Sequence, residues 1–214
     1  MTRDEAADGP MSRALRAAGL IAIHEPVLRR SVIPGAIEEL ASMRSNDWLV
    51  LTSTFTIEAI PEAIGQVPRV AVVGGSSYKA AKSRGFHVEL VSKNADGASL
   101  FAELSPQICN GRVYYPRSSL AKPPAEWTGA ELISPVLYVT EPRDFDRSIV
   151  HRVDSVAVAS QSAARAIGAV PLRIASIGPV TSAALRQIGL SPWVEAREPS
   201  FESLAQAIAD HLKS

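Results

Sequence analysis

At 214 residues, 46% of them hydrophobic, the chain can build one large core or two small ones. Its 22 Lys+Arg balance 22 Asp+Glu, so the formal net charge is zero; the broad basic field of a nucleic-acid binder is excluded and any anion site must be local. The single cysteine, Cys109, excludes an internal disulfide and argues against a cysteine-based zinc cluster; it reads as a small core residue.

The amino end, M-T-R-D-E-A-A-D-G-P, has no apolar signal-peptide region, and no run approaches a membrane span, so a cytoplasmic location is expected. Thr2-Arg3 reads as the end of a strand whose earlier residues are missing or lie upstream. A helix follows, with Met11, Leu15 and Ala18 on one face and Gly19 closing it. Leu20 to Val27 is the next expected strand, ended by Pro26 and the pair Arg29-Arg30; His24 within it reads as a hydrogen-bonded strand residue rather than a ligand. Pro34 opens a helix to Met43. Asp47 to Ile64 and Arg69 to Arg84 each read as strand, tight turn and helix. A strand at His87 to Val91, a helix at Ser99 to Leu104 and a strand at Arg112 to Tyr115 come next, with Arg117 in the loop at that strand's carboxyl end. Pro123-Pro124 argue against a full helix in Leu120 to Gly129, and Leu132 to Thr140 is extended. The chain ends with two more strand-turn-helix units between Asp154 and Leu190, a strand near Trp193 and a helix at Ser200 to Leu212.

The late units repeat the early ones. Asp47 to Ile60 lies over Asp154 to Ile167, matching Asp47 with Asp154 and Ser53 with Ser160; Arg69 to Gly85 lies over Arg173 to Gly189, matching Gly74 with Gly178 and Ser77 with Thr181. The spacing is too long for a solenoid repeat and implies two similar α/β domains. In each unit a helix begins where a strand ends. The unpaired N–H groups and dipole of a helix start favour anions, and ligands of parallel sheets lie at the carboxyl ends of the strands. Thr52, Ser53, Ser77, Ser160, Gln161, Ser162 and Thr181 are therefore candidate anion contacts, with Gly74 and Gly178 allowing close backbone approach. The alternative for each hydroxyl is a plain helix cap.

Several motifs, in order along nearly the whole chain, resemble the uroporphyrinogen-III synthase family. They are T-R at Thr2, D-W-L-V-L-T-S at Asp47, V-V-G at Val72, Y-P-R at Tyr115, L-Y-V-T at Leu137, V-A-S-Q-S at Val158 and I-G-P-V-T-S-A-A-L-R-Q-I-G-L at Ile177. The resemblance implies two flavodoxin-like parallel-sheet domains, one discontinuous (1–27 with 139–214) and one continuous (31–133), joined by a two-stranded linker (28–30 and 134–138). It also implies a lyase that closes hydroxymethylbilane with loss of water and inversion of the last pyrrole ring. No cofactor or metal is needed, the molecule is a monomer, and hydroxymethylbilane synthase is a candidate partner. Tyr138 falls on the tyrosine proposed in the family to help the hydroxyl leave. Arg3, Thr52, Ser53, Gly74, Ser77, Arg117, Ser160, Gln161, Ser162, Gly178 and Thr181 fall on the substrate-binding turns. Gln161 stands where the family has a proline. The other reading is a non-catalytic, hinge-closing binding protein for a small anionic ligand, since fold does not fix function.

Overall fold

The computed structural model describes residues 1–61, 68–94, 96–109, 111–125, 127 and 130–213. In chain order its elements are α1 (Pro10–Ala17), β1 (Leu28–Val32), α2 (Pro34–Leu40), β2 (Trp48–Leu51), α3 (Thr54–Ala59), β3 (Arg69–Val72), α4 (Gly75–Ser83), β4 (Val88–Val91), α5 (Gly97–Leu104), β5 (Val113–Tyr114), β6 (Arg117–Ser118), β7 (Leu132–Ile133), β8 (Val136–Pro142), β9 (Ser155–Val158), α6 (Gln161–Ile167), β10 (Arg173–Ser176), α7 (Pro179–Gln187), β11 (Val194–Glu195) and α8 (Phe201–Leu212). The fold is α/β with parallel sheets. The chain forms two compact units, Arg30–Thr140 and Met1–Arg29 with Glu141–Ser214. It passes from one to the other within β1 and again within β8, strands that are neighbours in a sheet of order β1-β8-β6.

The Arg30–Thr140 unit holds a five-stranded sheet of order β4-β3-β2-β5-β7 whose pairings are all parallel. Strand β2 is its centre, and every one of its residues is fully buried. Side chains alternate across a strand, so one short apolar run serves two cores. Leu49 and Leu51 pack with Leu40 of α2 and Ile57 of α3, while Trp48 and Val50 pack with Leu100 and Leu104 of α5.

The other unit repeats this on three parallel strands of order β11-β10-β9. Ala157 and Ala175 face Leu15 of α1 and Ile208 of α8; Val156, Val158 and Ile174 face Ile167 of α6 and Leu185 of α7.

Asp47 ties the entry of β2 to the entry of β5. Its buried carboxylate accepts from the Arg44 N–H at 2.8 Å, the Arg112 N–H at 2.8 Å and the Arg112 guanidinium at 3.1 Å. Burial alone would raise its pKa, but these donors outweigh it and hold the carboxyl below the ordinary aspartate value. Gly111, beside Arg112, has φ +118°, and a Cβ there would lie 2.3 Å from the Asn46 carbonyl oxygen. Gly111→Ala is therefore expected to destabilise this unit by roughly 1–2 kcal/mol through a strained φ and a backbone clash. A denaturation midpoint equal to the parent's would refute the close approach.

Several expectations are corrected. Leu20 to Val27 forms no strand, and the strand begins instead at Leu28, taking in Arg29 and Arg30. A strand needs a continuous ladder, and this segment has scattered backbone bonds instead, among them Glu25 N–H to Met1 O, Val27 N–H to Thr2 O and Arg143 N–H to Val27 O. Thr2-Arg3 is accordingly not a strand end but a short bridge. His24 is hydrogen-bonded, by Ser12 Oγ at 2.9 Å, though not on a strand. The helix from Pro34 ends at Leu40, short of Met43. The extended run Leu132 to Thr140 is split at Ser134-Pro135 into β7 and β8, because Pro135 has no N–H for a ladder. Arg117 lies not in a loop but in β6, its N–H donating to Pro135 O at 3.1 Å. Cys109 is exposed rather than in a core, since it follows a tight 3-10 turn (Ser105–Gln107) ahead of β5. The expected helix end at Ile64 and the end of the proline-bearing segment at Gly129 lie outside the described residues. Among the described residues no helix is long and apolar enough to cross a membrane.

Candidate functional site

Within each unit the parallel register brings two turns side by side. Leu51 pairs with Val72, so Thr52-Ser53 ahead of α3 and Val73-Gly74 ahead of α4 leave the same sheet edge. Val158 pairs with Ser176, which sets Ala159-Ser160 ahead of α6 next to Ile177-Gly178 ahead of α7.

The first N–H groups of a helix have no partner inside it, and the cap residue decides whether one is already satisfied. Ser160 does this: its Oγ accepts from the Ala163 N–H at 3.2 Å and lies 3.2 Å from Ser162 Oγ. Ser53, Gly74 and Gly178 give no such side-chain bond to α3, α4 and α7. None of the four helices carries an acidic residue in its first turn. Those starts thus keep the electrostatic character that favours a carboxylate. Pro179 occupies the first position of α7, where no N–H is required.

Ser77 and Thr181, matched in the repeat, both point inward and are buried, 2% and 4% exposed. Gln161 is exposed and accepts from Arg165 at 3.4 Å. Pro199 Cβ lies 3.7 Å from where a Cβ on Gly178 would stand, an ordinary contact. Thr52 Oγ1 makes a long 3.5 Å contact to the Tyr115 hydroxyl. The Arg117 guanidinium bonds within the protein: Nε donates to Ser134 Oγ at 3.1 Å and a terminal nitrogen to Ala121 O at 2.7 Å.

Tyr138, on β8, is brought to Ser53. Its hydroxyl donates to Ser53 Oγ at 3.3 Å, its ring meets Phe55 edge-on with centroids 4.6 Å apart, and it is 6% exposed. The pairing crosses 85 residues of sequence, so no local pattern could have found it.

Arg3 is not left free. Its Nε donates to Glu5 at 3.1 Å, and the same carboxylate accepts from the Ser12 N–H at 2.8 Å and Ser12 Oγ at 3.0 Å, at the start of α1. Glu5 therefore takes an anion position at this helix start that sequence reading did not assign. An acid four residues ahead of Gly9 was the available signal. Another unassigned cluster is a buried chain in which Ser176 Oγ meets Ser182 Oγ at 2.5 Å and Ser182 Oγ donates to Glu195. It ties β10, α7 and β11 together. Among the described residues, no three His, Cys, Asp or Glu side chains gather as metal ligands.

The family model described as uroporphyrinogen-III synthase HemD matches residues 9–206. No curated protein sequence matches the chain. Among solved structures, the uroporphyrinogen-III synthetase of Helicobacter pylori is similar with TM-score 0.58 and 15% identity, over 88% of this chain and 92% of that one. A mutant uroporphyrinogen III synthase of the extremely thermophilic bacterium Thermus thermophilus has TM-score 0.50 and 17% identity, over 95% of this chain and 94% of that one. At such identities the structural likeness bears on the fold.

Proposed function

Because the chain belongs to the uroporphyrinogen-III synthase family, we propose that it acts in tetrapyrrole biosynthesis by closing hydroxymethylbilane to uroporphyrinogen III. The match of the family model over nearly the whole chain carries this reading. In it, the two units are flavodoxin-like domains, with segments 28–30 and 134–138 as the linker, and the protein is a cytoplasmic monomer working without a cofactor.

The reaction breaks the bond from the terminal methylene carbon to its hydroxyl, which leaves as water after taking a proton. The electron-poor carbon is then attacked by the last pyrrole at its substituted α-carbon to give a spiro intermediate; that pyrrole's original bond to its bridging methylene breaks, the methylene rebonds at the pyrrole's other α-carbon, and loss of the proton there leaves the ring closed with that pyrrole inverted. Uncatalysed closure gives the uninverted ring, so the main task is holding one conformation of a flexible, many-carboxylate chain. The uncapped starts of α3, α4 and α7 are suited to those carboxylates. Tyr138 is the proton donor in this reading, with Ser53 orienting it; their 3.3 Å contact supports the pairing.

The test is incubation with freshly prepared hydroxymethylbilane and separation of the product isomers. The inverted isomer should dominate, whereas a ratio equal to that in buffer, with the bilane bound, would replace the enzyme by a binding protein. The hydroxyl turns should then sort by what they touch. Ser53→Ala should lower turnover by roughly tenfold, through loss of the hydrogen bond that orients the Tyr138 hydroxyl. Ser160→Ala, which removes a cap, should instead act on stability, by about 1 kcal/mol. Equal losses of turnover at both positions would contradict the sorting.

A further inference from the structure

A substrate with many carboxylates calls for cations as well as helix starts. The two arginines singled out in the sequence are engaged within the protein, Arg3 with Glu5 and Arg117 with Ser134 and Ala121. Arg112 is held by Asp47, and Arg69 by Glu89. Arg30 differs. It follows Arg29 on β1, and successive side chains of a strand leave opposite faces. Arg29 is exposed and pairs with Glu141 at 3.2 Å. Arg30 is half-buried, with its guanidinium carbon over the Phe55 ring, 5.1 Å from the centroid. Among the described residues, no acceptor and no carboxylate meets its side chain. A partly desolvated cation with no counter-ion is unfavourable in the free protein, and the arrival of a carboxylate relieves it.

Phe55 places this cation at the site. The same ring meets the edge of Tyr138, with centroids 4.6 Å apart, and the Tyr138 hydroxyl donates to Ser53 Oγ two residues ahead of Phe55. Guanidinium, phenol and serine hydroxyl are thus gathered around one aromatic ring. Arg30 and Tyr138 come from β1 and β8, neighbours in one sheet, and all four residues belong to the Arg30–Thr140 unit. An aromatic face attracts a guanidinium without using its N–H groups, so a planar fork of donors stays available for a carboxylate.

We propose that Arg30 is a substrate-binding residue: its guanidinium takes, through paired N–H groups, a carboxylate of the pyrrole that carries the departing hydroxyl, and so holds that ring beside Tyr138. The proposal rests on the reaction assigned above. The contact is already made in the ground state and persists through the reaction, so it acts on binding and not on the chemical step.

Arg30→Met keeps an apolar chain against Phe55 and removes the charge, whereas Arg30→Lys keeps the charge and removes the fork. With hydroxymethylbilane, Arg30→Met is expected to raise KM about thirtyfold and Arg30→Lys about fivefold, with kcat within about twofold of the parent. Arg29→Met should leave KM at the parent value. A second measurement needs no turnover: a monopyrrole bearing one acetate and one propionate, titrated by NMR, should bind the parent about tenfold more tightly than Arg30→Met, a difference that its dimethyl ester should abolish. A parent-like KM in Arg30→Met, with only a lowered melting midpoint, would reduce the arginine to packing and overturn the proposal, while the inverted product would leave the reaction standing. An equal rise of KM in Arg29→Met, or equal affinity of parent and Arg30→Met for the pyrrole, no binding by either included, would also overturn it. If the parent fails to close the bilane, the reaction is refuted and the pyrrole titration alone decides Arg30.

Discussion

Tyr138→Phe is expected to lower turnover of hydroxymethylbilane by about a hundredfold, the usual order for loss of a positioned proton donor. The ring is retained, so its edge-on contact with Phe55 and its place in the core with Leu49 and Ile57 persist. What is lost from the fold is one 3.3 Å hydrogen bond between neutral groups, about 1 kcal/mol or less. Activity should therefore fall much further than stability does. As turnover slows, spontaneous closure competes and the share of uninverted product should rise. Ser53→Ala serves as the comparison, because it removes the partner and keeps the donor. If Tyr138→Phe closes the bilane at the parent rate and isomer ratio, Tyr138 only packs β8 and the proton comes from elsewhere.

Asp47→Ala should destabilise the Arg30–Thr140 unit by about 2–4 kcal/mol, since it strips an acceptor from two backbone donors at the entries of buried strands. The matched Asp154→Ala should change stability by less than about 0.5 kcal/mol, as expected of an exposed site with no special feature. The pH dependence follows from the lowered carboxyl of Asp47. A group with a depressed folded pKa gives stability that is fully present above the unfolded value, about 3.9 for aspartate, and lost as pH falls through the folded one. The gap in denaturation midpoint between parent and Asp47→Ala should accordingly be widest near neutral pH and close in acid. Equal midpoints for the two alanine variants at pH 7 would show that the three-donor clamp contributes nothing.

The contrast between these two aspartates explains how far the sequence could be read. Asp47 and Asp154 occupy the same place in the repeat, each immediately ahead of a strand, β2 and β9. Local pattern treats them alike. Asp47 is buried because β5 lies alongside β2 and brings Arg112 to it; Asp154 is exposed, and among the described residues no strand pairs with β9 on the side away from β10. Likewise the turn hydroxyls could be listed from sequence but not sorted. The Ser160 cap is a local bond to the Ala163 N–H, but that Ser53 receives Tyr138 and that Ser77 and Thr181 face inward depends on what approaches each turn from far along the chain.

By itself the sequence determined the strand-turn-helix units at Asp47, Arg69, Asp154 and Arg173, their repetition, and the helix starts at Pro34 and Pro179. Apolar periodicity, caps and prolines act over a few residues, so they are legible without a partner. Only the tertiary structure decided that Leu20 to Val27 is not a strand, that Arg117 belongs to a ladder, that Cys109 is exposed, and that Tyr138 meets Ser53. Strand pairing, burial and a shared hydrogen bond are properties of two segments at once, and a strand-forming run with no ladder beside it remains an irregular chain.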